Sequence, residues 1–438
     1  MKWIKYLRNF LIESSYNHFI MKIRIPILRI LNLLPLIFIV YNCSEDPLTS
    51  DLDHSGLVID TLTIYDINTQ NYNVAPNLGT NERLYLGNKN GLDIPVSFIE
   101  IPNSLYWSFP FDSTIVVDSL RFIVYSKDSL LATSSTPNLF FHPDSQFDEN
   151  SSTYLDFSGF SNSEWHDLGR PYLRTNSDES DTSSETYGDY LFTELVWNID
   201  TLLTVLSDTL DSNLVWSKPD LVRSFAMQFV NSDSNFIELF SEEATTGERD
   251  PKVIMYFRRT YDSGDSTIID TTSGIIYSNG DLSIIEPSEV VSDENFIWLS
   301  NGLGLRSVLN IPIAENFLPL GSVIRSADLI LTYDTTLTSL SYNVILDPIE
   351  SDSLSVDTVN VYDSDPYEAL GYPYRVSTDA ENGSCILSLK DIMQNITLGN
   401  VTNLGFKLIA NEKNDPFESI WFDKGQTMRL EIVYVTNQ

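Results

Sequence analysis

Residues able to do chemistry in this chain are abundant in one class and scarce in the others. The histidines are His18, His54, His142 and His166, and none has a partner at a metal-ligand spacing. Glu164-Trp-His-Asp167 sets an acid, an imidazole and an aromatic face side by side. It is the most site-like cluster in the sequence, although four such residues in a polar loop read first as surface. A catalytic triad needs a nucleophile, a base and an orienting acid that converge. Neither a Gly-x-Ser-x-Gly elbow nor a His-Glu-x-x-His pair is present to anchor one. Asn301-Gly-Leu-Gly-Leu305 has too few glycines to cradle a phosphate; it aligns with Asn90-Gly-Leu92 and reads as a hairpin turn. Carboxylates are the plentiful group, with 61 Asp+Glu against 26 Lys+Arg and a net charge of -35. Paired carboxylates hydrolyse glycosides, but among so many acids no pair stands apart, and a non-catalytic protein is expected. The same excess repels phosphate backbones, so nucleic acid is excluded as a partner.

Two features point to binding. Tyr106-Trp-Ser-Phe-Pro-Phe111 brings Tyr106, Trp107, Phe109 and Phe111 into one loop, and Tyr367 with Tyr372-Pro-Tyr374 forms a second aromatic group. Exposed rings stack on the apolar face of a sugar, and loops at the end of a scaffold are where such sites form. The competing reading is that these rings cap the end of a core. The second feature is the acidic segment 176–189, which carries Asp178, Glu179, Asp181, Glu185 and Asp189. Hard oxygen ligands suit calcium, which takes roughly 6–8 of them. The spacing is not that of an EF-hand, and a disordered acidic insertion explains the composition as well. No cofactor other than calcium is suggested.

The first residues have a different character. Met21-Lys-Ile-Arg24 and Arg29 precede an apolar run that ends at Asn42-Cys43. A basic n-region followed by a short apolar stretch describes an export signal, and one of ordinary length would begin at Met21. The run is short for a span of about 20 residues. Ending on Cys43, it resembles a lipobox, in which that cysteine is lipidated; Val40-Tyr41-Asn42 departs from the small residues usual there. Ser44-Glu-Asp46 resembles the surface-export signal of Bacteroidota-type lipoproteins. The expected organisation is a signal over 1–43, an acidic tether over 44–56, and a body held at the membrane by lipid, on the outer membrane or cell surface. Cys385, in the alternating Ser384-Cys-Ile-Leu-Ser-Leu389, is expected to pack as a small apolar residue.

The elements that must position any site are strands. Short alternating or β-branched runs recur throughout, bounded by Gly, Pro, Asn, Asp and Ser, which is the pattern of sandwiches and barrels. Short helical stretches are expected near 200–207 and 389–396. Laying the halves against one another exposes a repeat. Arg83-Leu-Tyr-Leu-Gly87, Ser97-Phe-Ile-Glu-Ile-Pro102 and Ile115-Val-Val-Asp-Ser-Leu-Arg-Phe-Ile-Val-Tyr125 return in order as Phe296-Ile-Trp-Leu-Ser300, Ser307-Val-Leu-Asn-Ile-Pro312 and Val323-Ile-Arg-Ser-Ala-Asp-Leu-Ile-Leu-Thr-Tyr333. Toward the ends, Phe240-Ser-Glu-Glu243 and Pro251-Lys-Val-Ile-Met-Tyr256 have Phe422-Asp-Lys-Gly425 and Met428-Arg-Leu-Glu-Ile-Val-Tyr434 as counterparts. These blocks resemble the DNRLRE-type β-sandwich module, a jelly roll of exported proteins often found beside carbohydrate-active enzymes. The second copy departs from that pattern at Asp423-Lys-Gly425.

The sequence thus predicts an all-β protein of two tandem, homologous, jelly-roll-like antiparallel sandwiches: domain one over 57–261, a joint over 262–281 and domain two over 282–438. The resemblance implies a non-catalytic glycan-binding or adhesive module of the cell envelope. A structural subunit contacting envelope proteins is the alternative, and a carbohydrate-active enzyme the third reading.

Overall fold

The computed structural model describes residues 56–437, apart from 129–130, 133–135, 176–191, 204–222, 231–235, 245–248, 264–265, 288–294, 336–341, 352–359 and 426. The expected signal, Cys43 and the tether up to residue 55, and the acidic group Asp178, Glu179, Asp181, Glu185 and Asp189, lie outside the described residues.

The protein is an all-β sandwich fold. The strands of the first repeat are β1 (Leu57–Ile64), β2 (Asn68–Val74), β3 (Arg83–Lys89), β4 (Leu92–Ile101), β5 (Ile115–Ser126), β6 (Asn138–His142), β7 (His166–Gly169), β8 (Tyr172–Thr175), β9 (Thr193–Asn198), β10 (Arg223–Gln228), β11 (Phe236–Phe240) and β12 (Lys252–Ser263). Those of the second are β13 (Ser266–Tyr277), β14 (Gly280–Pro287), β15 (Phe296–Leu299), β16 (Leu305–Asn310), β17 (Val323–Thr332), β18 (Tyr342–Pro348), β19 (Val361–Tyr362), β20 (Val376–Ala380), β21 (Ser384–Ser388), β22 (Phe406–Ala410), β23 (Ile420–Asp423) and β24 (Arg429–Asn437). A helix, α1 (Lys390–Thr397), follows β21, and a single helical turn at 201–203 follows β9. Both lie where short helices were expected.

The alternation in sequence becomes the two faces of each strand. Leu120, Phe122 and Val124 of β5 point into the first core, as Ala327, Leu329 and Leu331 of β17 point into the second. Between the sheets of the first sandwich, Phe122 of β5 stacks on Phe225 of β10 at 4.6 Å, and Trp197 and Phe141 fill the same core.

The pairing repeats strand for strand. β11 pairs with β3 as β23 pairs with β15. β10 lies between β4 and β6 as β22 lies between β16 and β18. β5 pairs with β9 as β17 pairs with β21. β12 lies beside β5 as β24 lies beside β17. The repeat read from sequence is therefore a repeat of hydrogen-bonded architecture.

The domain boundaries expected from sequence need correction, because the two repeats exchange their leading strands. β1 joins β24 and β2 joins β16, so the first strands of the chain complete the second sandwich. Reciprocally, β13 pairs with β12 and β14 with β4, so the leading strands of the second repeat complete the first sandwich. The expected joint over 262–281 is not a linker: it closes β12, forms β13 and opens β14. Its Ser, Gly and Asp content suggested a spacer, but its Thr and Ile residues have the β-branched side chains that suit a pleated sheet.

Contacts beyond the exchange also join the two repeats. Phe417 packs edge-on against Tyr85 at 5.0 Å, in a cluster with Leu92, Ile94 and Ile285. The Asn301-Gly-Leu-Gly turn lies against the end of β2, where Val74 N–H donates to the Gly304 carbonyl at 2.9 Å. A Cβ at Gly304 would fall 1.8 Å from the Val74 oxygen, so only glycine permits this approach.

Candidate polar cleft

A cleft of about 560 Å³ opens where the segment leaving β2, the turn at 300–304 and the loop after β22 come together. Its lining is polar and held from beneath. Asn77, in the first of these segments, donates through Nδ2 to the carbonyls of Glu149 (2.9 Å) and Ser152 (2.8 Å). Asn301 Nδ2 donates to the Asn411 carbonyl at 2.6 Å, and Asn411 Nδ2 to Asn343 Oδ1 at 2.9 Å. Arg375 sits on the wall with its Nε 3.0 and 2.9 Å from the two oxygens of Asp347, a carboxylate with no exposure to solvent. That bond and the paired charge push the guanidinium pKa up and fix its plane while half of the side chain stays exposed. Exposed Glu412 and Lys413 complete the rim.

Below the cleft, Asp365 gathers a second network. Arg306 and Lys407 both pair with it, and Tyr72 Oη donates to it at 3.2 Å. Burial would raise the Asp365 pKa, but the two cations beside it hold its carboxyl below the usual range. The arrangement as a whole offers pre-oriented amides, a fixed guanidinium, an ammonium and one carboxylate. Groups of this kind bind hydroxyl-rich ligands by converging hydrogen bonds.

Of the aromatic residues expected to stack on sugars, Trp107, Phe109 and Tyr367 are placed otherwise. Trp107 and Phe109, in a 3-10 turn over Leu105–Phe111, are 1% and 5% exposed. The Arg223 guanidinium lies 4.4 Å over the Trp107 ring, and Phe109 meets Phe257 edge-on at 4.7 Å. Both rings cap the core and offer no face to a ligand, which corrects that expectation. Burial also pushes the Arg223 pKa down to about 10, the cost of a guanidinium housed on an indole face. Tyr106 is half-buried, its ring against Gly274, and Phe111 closes the same turn. Tyr367 is 4% exposed and packs on Tyr72 at 5.3 Å, so it too belongs to the core. Tyr374 is half-buried, whereas Tyr372 is 94% exposed and available. In the Glu164–Asp167 cluster, Trp165 packs on Phe98 and His142 while His166 begins β7, so it is surface built around a half-buried indole.

Sequence reasoning missed three things. The cleft draws its lining from positions hundreds of residues apart. Trp298 and Trp421, both half-buried on the β15–β23 ribbon, stack in parallel at 4.6 Å; their facing register follows from the repeat once β15 and β23 are paired. Glu149, Glu242 and Glu243 bring carboxylate oxygens within 4.8 Å of one another. Burial and the neighbouring acids push Glu149 up, Glu243 up to about 7 and the enclosed Asp281 well above the usual carboxylate range.

No protein-family model matches the chain, and no curated protein or solved structure shows significant similarity to it.

Proposed function

We propose that this chain is an exported, lipid-anchored protein of the cell envelope whose folded part binds glycans without catalysing their hydrolysis. The cleft is the observation that carries this reading. Asn301, Asn411 and Arg375 are already fixed by bonds behind them, so little ordering of these is left for the ligand to impose, and exposed Glu412 and Lys413 add a carboxylate and an ammonium at the rim. Among the described lining residues Glu412 is the one carboxylate, whereas glycoside hydrolysis uses two. The repeat blocks that resemble DNRLRE-type modules, the lipobox-like Cys43 and the acidic body agree with display outside the cytoplasm.

The test is a glycan array probed with the full chain in mild detergent, with and without calcium, beside a Glu412→Gln/Lys413→Ala variant and a Tyr372→Ala variant. All three changed side chains sit at exposed or rim positions, so the fold is expected to hold. Binding lost in the double variant supports the cleft. Binding lost only with Tyr372→Ala moves the site to that loop.

A second reading, an assembly subunit that contacts envelope proteins, is favoured by β13. It lies at the edge of its sheet and carries exposed Ile268, Ile269 and Ile275. An apolar edge strand is a template for pairing with another chain. Failure to bind any glycan, together with capture of a partner that Ile269→Lys abolishes, would select this role.

A further inference from the structure

The acids around Asp281 form a group distinct from the cleft lining, and the fold does not need them. Glu149, in the loop after β6, and Glu242 and Glu243, in the turn after β11, hold their oxygens within 4.8 Å of one another. Two ligands on opposite sides of a calcium ion, each roughly 2.4 Å from it, stand about 4.8 Å apart. Asp281 of β14 forms the floor. Its backbone N–H donates to Glu149 Oε1 at 2.8 Å, and its Oδ2 accepts from the Glu242 N–H at 2.7 Å. Asp281 is thus tied to two members of the cluster, to Glu149 through its backbone N–H and to Glu242 through its carboxylate. It has no exposure to solvent, and its Oδ1 has no hydrogen-bond partner among the described residues. A buried carboxylate oxygen left unbonded is costly, and a cation held by the three glutamates beside Asp281 would offset the charge gathered there. Gly280 keeps the approach open, since a Cβ there would come within 3.3 Å of Glu149 Oε1.

The second repeat serves as an internal control. Ser97 and Ser307 are equivalent, and counting from them sets Asp281 opposite Ile99 and Thr69 opposite Leu309 at the same place. By the register of β11 on β3 and of β23 on β15, Glu242 and Glu243 correspond to Gly425 and Gln426. The same strand plan is therefore built without any of these three acids, and their concentration in the first repeat is not a requirement of the sandwich.

We infer that Glu149, Glu242 and Glu243, backed by the buried Asp281, form a divalent-cation site of calcium type that fastens the exchanged strand β14 to the first sandwich. Glu242 is exposed and Glu149 and Glu243 are partly so, which leaves the ion a way in from solvent. A partly open site of this kind falls in the ~10⁻⁴–10⁻³ M range of extracellular calcium modules.

The experiment is calorimetric titration of calcium chloride into the full chain in detergent, with thermal melts in calcium and in EDTA. Three variants accompany it: Glu149→Gln/Glu243→Gln, Asp281→Asn, and one with Asp178, Glu179, Asp181, Glu185 and Asp189 all amidated. Wild type is expected to bind and to melt higher in calcium. The double Gln and the Asn variants should bind at least about tenfold more weakly, yet melt in EDTA no lower than wild type, because a repelling charge is gone. The amidated segment should leave binding unchanged. Wild-type affinity in either site variant, loss of binding in the segment variant alone, no binding by wild type at ~10 mM calcium (well above that range), or magnesium bound as well as calcium would each overturn the assignment.

Discussion

Strand exchange has a consequence that dissection of the chain can test. A fragment over 57–261, the boundaries that the sequence repeat suggests, leaves β4 and β12 without their partners β14 and β13. It also removes Ile276, Leu282, Ile284 and Ile285, each at most 5% exposed in the intact fold. Burial of a side chain of this size is worth about 1.5–3 kcal/mol, so the four together are worth about 6–12 kcal/mol. That is comparable with the whole stability of an ordinary domain, about 5–15 kcal/mol. The fragment still carries β1 and β2, which could in principle fold back into the vacated places. Register argues against it. With Ser97 and Ser307 equivalent, Gln70 would stand opposite Phe98 where Leu282 stands now, and Asn71 would take the place of Ser283. An amide would then enter an aromatic cluster of Phe98, Phe140 and Phe147, at a cost of about 1–3 kcal/mol. A fragment over 75–287 instead keeps both partners. Urea unfolding followed by tryptophan fluorescence, with proton NMR dispersion as a check, should show a cooperative transition for 75–287 and none for 57–261. A fragment 57–261 that unfolds cooperatively at the same urea concentration would refute the exchange.

Three further outcomes are expected. Trp107→Ala should lower stability by about 3–5 kcal/mol in urea unfolding, leaving glycan binding unchanged, because the ring is enclosed beneath Arg223. Cys385 is buried, with its thiol pushed up to about 12 first by burial and then by Asp379; iodoacetamide at pH 8 should leave it unmodified in the folded chain and alkylate it once urea is added. Asp365 has a folded pKa held below its ordinary 3.8, so its ion pairs stabilise the protein above that pH and are lost as pH falls through the folded value. The melting temperature of wild type should therefore drop on the acid side below about pH 3.8, and Asp365→Asn should flatten that limb while lowering stability at pH 7.

Local pattern and long-range pairing were not equally legible. Period-two alternation in Leu120-Arg-Phe-Ile-Val124 and Ala327-Asp-Leu-Ile-Leu331 identified strands and their inward faces, because the alternation is imposed by a two-layer core. The repeat was legible for the same reason. What it could not reveal is which copy of a homologous strand fills which sheet. β2 and β14 both satisfy the rule for a strand beside the Ser-x-x-x-Ile-Pro strand, and only the opposed side chains, Leu282 on Phe98 and Gln70 on Val308, discriminate between them. The aromatic loop left two readings open, sugar stacking and core capping, because loop position does not fix exposure: Trp107 and Phe109 lie in a connection, and that connection folds down as a core cap. Glu149, Glu243 and Asp281 come from separate parts of the chain, and among 61 acids no local spacing marks them.

The exchange and the cleft are linked by chain path. Because β2 pairs in the second sandwich and β3 in the first, the eight residues between them, 75–82, must cross from one to the other. Crossing exposes backbone groups that neither sheet can satisfy. The Ala75 N–H is satisfied by the Tyr362 carbonyl and the Asn81 N–H by a turn onto the Leu78 carbonyl within the segment, while the Asn77 side chain is fastened to 149–152 and that of Asn81 reaches the Glu412 carbonyl. Asparagine suits this duty, since one side chain both donates and accepts. The same crossing segment lines the cleft together with Asn150 of the first sandwich and the loops at 300–306 and 409–413 of the second, which the Asn301–Asn411 bond ties to one another. Two unexchanged sandwiches on a flexible linker would have no such fixed floor. The cleft is thus a product of the exchange, and a variant that relaxed the exchange would lose the cleft before it lost either core.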